Sequence, residues 1–135
     1  MDRLLVYHID DEKVFLEAVR RKLESPSADF PLEVRSFREF REYLTALHAE
    51  EYPVFCIIDV DLTDTDAVGT DLVAETRSTY PDTLIVMYSS SDDHEVVKSC
   101  MEAGADLYLP KSSSLDSLAT TLYSLWIKRS GFTAA

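Results

Sequence analysis

Glycine is scarce in this chain: Gly69, Gly104 and Gly131 are the only three in 135 residues. Isolated glycines cannot build a Walker loop or a dinucleotide fingerprint, which need several at close spacing. Cysteine is scarcer still. Cys56 and Cys100 lie far apart, form no metal-ligand spacing and sit in apolar patterns, so both read as reduced core thiols. Basic charge is in the minority, with 13 Lys and Arg against 25 Asp and Glu and a formal net charge of −12. That argues against nucleic acid or an anionic membrane as a partner of this chain alone, because both require a basic surface. Arg20, Arg21 and Lys22, and Arg35, Arg38 and Arg41, read as solvated helix faces interleaved with Glu. Long apolar runs are missing too. The N-terminal "MDRLLVYHIDDE" is broken by acids and makes neither a signal peptide nor a membrane span, so a cytoplasmic protein is expected.

What is present suits one globular domain over residues 1–135, with a core from about 3 to 130. Short apolar runs alternate with helical patterns. "RLLVYHI" stops at an acid pair, as a strand buried on both faces would. From Glu12 to about Ser25, Val14, Phe15, Ala18, Val19 and Leu23 recur at helical spacing. "LEVRSF" reads as the second strand, and Ser36 with Glu39 resembles a capping box opening a helix to about Glu50. "VFCIID" is the third strand, ending at Asp59, followed by a polar loop and a helix stopped by Pro81. "TLIVMYS" is the fourth, and "DDHEVVKSCMEA" a helix closed by Gly104 as C-cap. "DLYL" is the fifth, and a last helix runs from about Ser114 to Ser130 on an apolar stripe that includes Leu118, Leu122 and Trp126. Five strand–helix units in alternation imply a parallel α/β sheet with helices on both faces. Sites in such folds lie beyond the carboxyl ends of the strands.

That rule collects Asp10 and Asp11 from the first strand, Asp59 from the third, Ser89 and Ser90 from the fourth, and Lys111 near the fifth. Three close carboxylates repel unless a cation joins them. A hard divalent ion with oxygen ligands removes the conflict, and Mg²⁺ suits few carboxylates and several waters. A carboxylate nucleophile, a metal, a lysine and a hydroxyl donor together fit phosphoryl chemistry.

These residues resemble the receiver domain of two-component response regulators. "HIDDE" is similar to that family's acid pair, "CIIDVDL" to its phosphoacceptor strand, "IVMYSS" to its Ser/Thr strand and "GADLYLPK" to its aromatic and lysine strand. The resemblance implies a flavodoxin-like sheet of strand order 2-1-3-4-5, and Asp59 accepting a phosphoryl group from a histidine kinase's phosphohistidine. It further implies Mg²⁺, with Mn²⁺ as a substitute, on Asp11, Asp59 and the backbone carbonyl of Asp61, with Asp10 acting through water. Ser89 and Lys111 would bind phosphoryl oxygens, and Tyr108 would be the switch aromatic. Asp61 and Ser91 would tune dephosphorylation. The chain would not be an enzyme beyond its own phosphorylation and dephosphorylation. Its implied partners are a histidine kinase or phosphotransfer protein, a separate effector protein docking on the fourth helix, fifth strand and fifth helix, and a second copy when phosphorylated. No output segment fits after residue 130, so protein contact is the expected output.

Three positions depart from the family's usual form. Ser112 follows the lysine where proline with a cis bond is common, so a trans Lys111–Ser112 bond is expected. The loop from Asp59 to Gly69 is longer than usual and lacks proline, and Ser90 stands in place of alanine. "DVDLT" also matches the first motif of haloacid-dehalogenase-type phosphatases, but there the motif opens the chain's first strand and an acid pair comes last. A receiver-like interaction module without phosphorylation is the other alternative, and such domains usually lack an acid or the lysine. Asp64, Asp66 and Asp71 read as loop and helix-start carboxylates. His8 reads as a packed core histidine, His94 as exposed near the site, and Tyr123 and Trp126 as rim and core.

Overall fold

Residues 3–25, 30–49, 51–60, 69–90 and 93–130 are described by a computed structural model. The apolar runs form strands β1 (Leu4–Ile9), β2 (Leu32–Phe37), β3 (Phe55–Ile58), β4 (Leu84–Ser89) and β5 (Leu107–Pro110). Between and after them lie helices α1 (Lys13–Leu23), α2 (Phe40–Leu47), α3 (Gly69–Thr79), α4 (His94–Ala103) and α5 (Leu115–Ser130). All strand pairs are parallel, in the order β2-β1-β3-β4-β5. Every residue of β3 and β4 is buried, which explains why those stretches are continuously apolar rather than alternating.

Because side chains alternate along a strand, each strand feeds two cores. Val6, Val34, Ile57, Val86 and Tyr88 face α1 and α5 and pack on Val19, Leu118 and Leu122. Tyr7, Ile9, Cys56, Ile58 and Met87 face the other way, onto Tyr43, Leu47, Leu72 and Cys100. Each fully buried aliphatic side chain contributes about 1.5–3 kcal/mol. Tyr43 is wholly buried and its hydroxyl pairs with Thr76 Oγ1 at 2.7 Å, so its polar end is satisfied. Both cysteines are free and buried, as expected, and burial raises the Cys56 thiol to about 11. Among the described residues, no helix is long and apolar enough to cross a membrane.

The alternation of elements matches the sequence reading, with four corrections. Ser36 is not an N-cap. It is the fifth residue of β2, in register with His8, and the first helical residue of α2 is Phe40. Strand pairing carries the chain on through Phe37, whose ring packs on Tyr7 and Tyr43, and Glu39 caps α2 without a side-chain bond. Val14 is 68 % exposed; Leu16 takes the buried place, because α1 is rotated to set Leu16, Val19 and Leu23 inward. Arg35 lies on β2 rather than a helix face, paired with Glu33 and Glu51. Asp93 caps α4, whose first helical residue is His94, by accepting from Glu95 N–H at 2.9 Å. Other expectations hold. Gly104 ends α4 at φ +122°. The Lys111–Ser112 bond is trans.

Candidate phosphoryl and metal site

The strand ladder extends one residue past three strands, and those three residues are the charged ones. Asp10 donates its N–H to Phe37 O (3.1 Å), Asp59 to Ile9 O (3.1 Å) and Lys111 to Ser89 O (2.8 Å). Their backbones are therefore held by the sheet rather than by loops. Alternation then aims the side chains: Asp10, Asp59 and Lys111 continue the face of Val6, Ile57 and Leu109 toward α1, and there they meet. Lys111 Nζ lies 2.7 Å from Asp10 Oδ2 and 3.2 Å from Asp59 Oδ2, with side chains no more than 4 % exposed. Asp11 joins them: Asp10, Asp11 and Asp59 bring one carboxylate oxygen each within 4.8 Å of one another.

Local structure fixes the acid pair. Asp10 Oδ1 accepts the N–H of Glu12 at 2.9 Å, and Glu12 O accepts from Phe15 and Leu16, so the turn beginning at Asp10 starts α1. On the far side of Asp59, Gly69 donates its N–H to Val60 O at 2.9 Å. A Cβ on Gly69 would lie 2.5 Å from both Asp59 O and Val60 Cα, so only glycine permits α3 to begin this close to the third strand's end.

Electrostatics follow from burial. Burial raises the Asp10 carboxyl, the charge of Asp59 adds to the rise, and Lys111 with the Glu12 N–H opposes it. For Lys111, burial alone would lower the ammonium, but Asp10 and Asp59 outweigh it and raise it. His8, wholly buried two residues before Asp10, is pushed down to about 3 by burial first and the nearby Lys111 charge second. It is a neutral core residue, as the sequence suggests. Neither of its ring nitrogens has a partner among the described residues, nor does Ser36 Oγ beside it in register.

Of the other expected residues, Ser89 ends β4 fully buried and Tyr108 is half-buried against the core beneath α4. His94 is exposed at the first turn of α4. Asp61, Asp64, Asp66 and Ser91 lie outside the described residues. One contact was not legible from spacing: Lys111 Nζ stands 4.1 Å from the centroid of the Phe15 ring. The only hint in sequence is an aromatic in the first turn of the helix that follows the acid pair. A hard oxygen donor set of three carboxylates suits Mg²⁺, Mn²⁺ or Ca²⁺ and does not suit a soft metal.

Solved structures share the fold that carries this site. A CheY-like receiver domain protein from Methanospirillum hungatei superposes with a TM-score of 0.83 at 19 % identity, over 98 % of this chain and 100 % of that one. Chemotaxis protein CheY4 of Vibrio cholerae gives 0.78 at 24 % identity, over 91 % and 98 %. A response regulator from Burkholderia pseudomallei, solved with a phosphorylated aspartic acid, a calcium ion and citrate, gives 0.76 at 24 % identity, over 95 % and 75 %. No curated protein sequence matches the chain. The family model of the response regulator receiver domain matches residues 6–123, from inside β1 to inside α5, and the chain belongs to that family.

Proposed function

We propose that the chain is a phosphoacceptor receiver in which Asp59 takes a phosphoryl group from the phosphohistidine of a histidine kinase or phosphotransfer protein. The observation that supports it most is the Lys111 ammonium held between Asp10 and Asp59 in a pocket that also contains Asp11. An Asp59 oxygen attacks phosphorus, the O–P bond forms as the N–P bond breaks, and the imidazole nitrogen keeps the electron pair. Asp59 is set for this by its ladder bond to Ile9, which holds its backbone still. Lys111 would leave the carboxylates to pair with one phosphoryl oxygen, and Ser89 would donate to another. A Mg²⁺ ion, or Mn²⁺ in its place, would neutralise charge on the transferring group, held by Asp11, Asp59 and the Asp61 carbonyl, with Asp10 through water.

Ser89 ends β4 in register with Pro110, and its carbonyl accepts the Lys111 N–H, so movement of either reaches β5, the strand that carries Tyr108. Phosphorylation would favour one of two conformers of the face made by α4, β5 and α5, read by a separate effector protein or a second copy. Asp61 and Ser91 are assigned to tuning the lifetime, with Asp61 orienting the hydrolytic water. A longer-lived phosphoryl group in Asp61→Asn than in wild type is the expected sign of that.

Acetyl phosphate with Mg²⁺ should label the wild type and not Asp59→Asn, and a chelator should abolish the label. No label under any condition would reject the reading. Rapid multiple-turnover hydrolysis of phosphomonoesters would point instead to a phosphatase.

A further inference from the structure

We propose that Phe15 is a positioning residue for phosphoryl transfer, its ring face holding the Lys111 ammonium in the acid pocket. This rests on the reading of Asp59 as phosphoacceptor. The ammonium is 4.1 Å from the ring centroid, and the Lys111 side chain is only 4 % exposed, so water cannot supply its solvation. Two carboxylates serve one side of it, and the electron-rich face of Phe15 serves another.

The ring itself is held. Tyr88, 2 % exposed, meets it edge-on with centroids 6.4 Å apart and planes at 82°. The backbone N–H of Phe15 donates to Glu12 O at 3.1 Å, and the N–H of Glu12 donates to Asp10 Oδ1 at 2.9 Å. A single short segment, residues 10–15, therefore supplies both the carboxylate that pairs with Lys111 and the ring that faces it. Neither can shift far without the other.

The ring matters most when the carboxylates are otherwise engaged. If Asp10 and Asp59 turned to a divalent ion and a phosphoryl group, they would hold Lys111 less, and the ring would remain beside it. The face of Phe15 coordinates neither ion nor phosphoryl oxygen, so its attraction persists through the step. An aliphatic side chain of similar volume would fill the space without offering that attraction, which separates positioning from packing.

The test is the initial rate of Asp59 labelling by acetyl phosphate with Mg²⁺, on the full chain. Phe15→Leu should be about five- to tenfold slower and Phe15→Tyr within about twofold of wild type, the span expected of a desolvated cation–π contact. Phenylalanines carrying one, two and three ring fluorines at position 15 keep the shape and weaken the face, so the rate should fall stepwise along the series. Proton NMR of the Lys111 Cε group should show a ring-current shift that is lost in Phe15→Leu. A flat fluorine series, or a Phe15→Leu rate equal to wild type, overturns the role of Phe15 while Asp59 labelling stands. An unlabelled wild type overturns the Asp59 reading and this inference with it.

Discussion

Two cations brace the two ends of the sheet, and they are used in opposite ways. At the amino end, Arg77 of α3 donates to Gly104 O from Nε (3.1 Å) and Nη2 (2.7 Å), to Pro81 O (2.8 Å) and Thr83 O (2.7 Å) from Nη1, and to Asp106 Oδ2 (2.9 Å). Asp106 Oδ2 also accepts the N–H of Ile85 at 2.7 Å. One guanidinium thus joins α3, the start of β4 and the α4–β5 turn, and its fork meets acceptors on several sides. At the carboxyl end, the ammonium of Lys111 pairs with Asp10 and Asp59, and Asp11 lies beside those two carboxylates. The first region is electrostatically complete; the second carries excess negative charge that a divalent ion would relieve. One end is built to stay and the other, on the proposed function, to react.

Substitutions can break that comparison. The largest effect is expected at Arg77. Arg77→Ala strands three carbonyls in two segments and should lower the unfolding free energy by about 4 kcal/mol, read from urea titration, with or without Mg²⁺. Dependence of that loss on Mg²⁺ would show the two ends to be coupled. Next comes His8. Below pH 6.5 the unfolded histidine takes up a proton, while the buried one stays neutral until about pH 3. Stability is therefore lost as pH falls through that window, by about 3 kcal/mol between pH 6.5 and 4. In metal-free protein, His8→Leu should remove this part of the slope, and identical slopes for the two proteins would refute it.

A smaller effect belongs to Gly104. Its φ of +122° disfavours any side chain, and a Cβ there would lie 2.9 Å from Arg77 Cγ, so Gly104→Ala should cost about 2 kcal/mol. Combined with Arg77→Ala, which clears the space, Gly104→Ala should cost less than it does alone. The smallest effect should have the opposite sign. The raised Asp10 carboxyl means its charged form lowers stability above its unfolded pKa, and this cost fades as pH falls. At neutral pH without metal, Asp10→Asn should therefore stabilise by about 1 kcal/mol while weakening Mg²⁺-dependent labelling. Destabilisation there would mean the pocket is as complete as the Arg77 end.

Much of the site was legible because parallel strands here end where apolar runs meet charge. Asp10, Asp11, Asp59, Ser89 and Lys111 all sit at such stops, and topology alone brings the stops together. Contacts set by helix rotation were not legible. Helical spacing makes Val14 and Phe15 equal members of a stripe, yet a small rotation exposes Val14 and places Phe15 on Lys111. Ser36 satisfies a capping pattern, but strand pairing with β1 outweighs a local signal. Arg77 gives no sign in sequence, since four of its five bonds go to backbone carbonyls, which carry no residue signature.

The clasp between Val60 and Gly69 has a consequence for how this chain can vary over time. The segment between them leaves and returns through two residues already tied to each other and to the backbone of Asp59. Residues gained or lost within it need not displace Asp59, and closing a longer segment costs only about 0.6 kcal/mol per doubling of length. Length can therefore change beyond Asp61, whose carbonyl the proposed metal site uses, without moving Asp59 off the sheet.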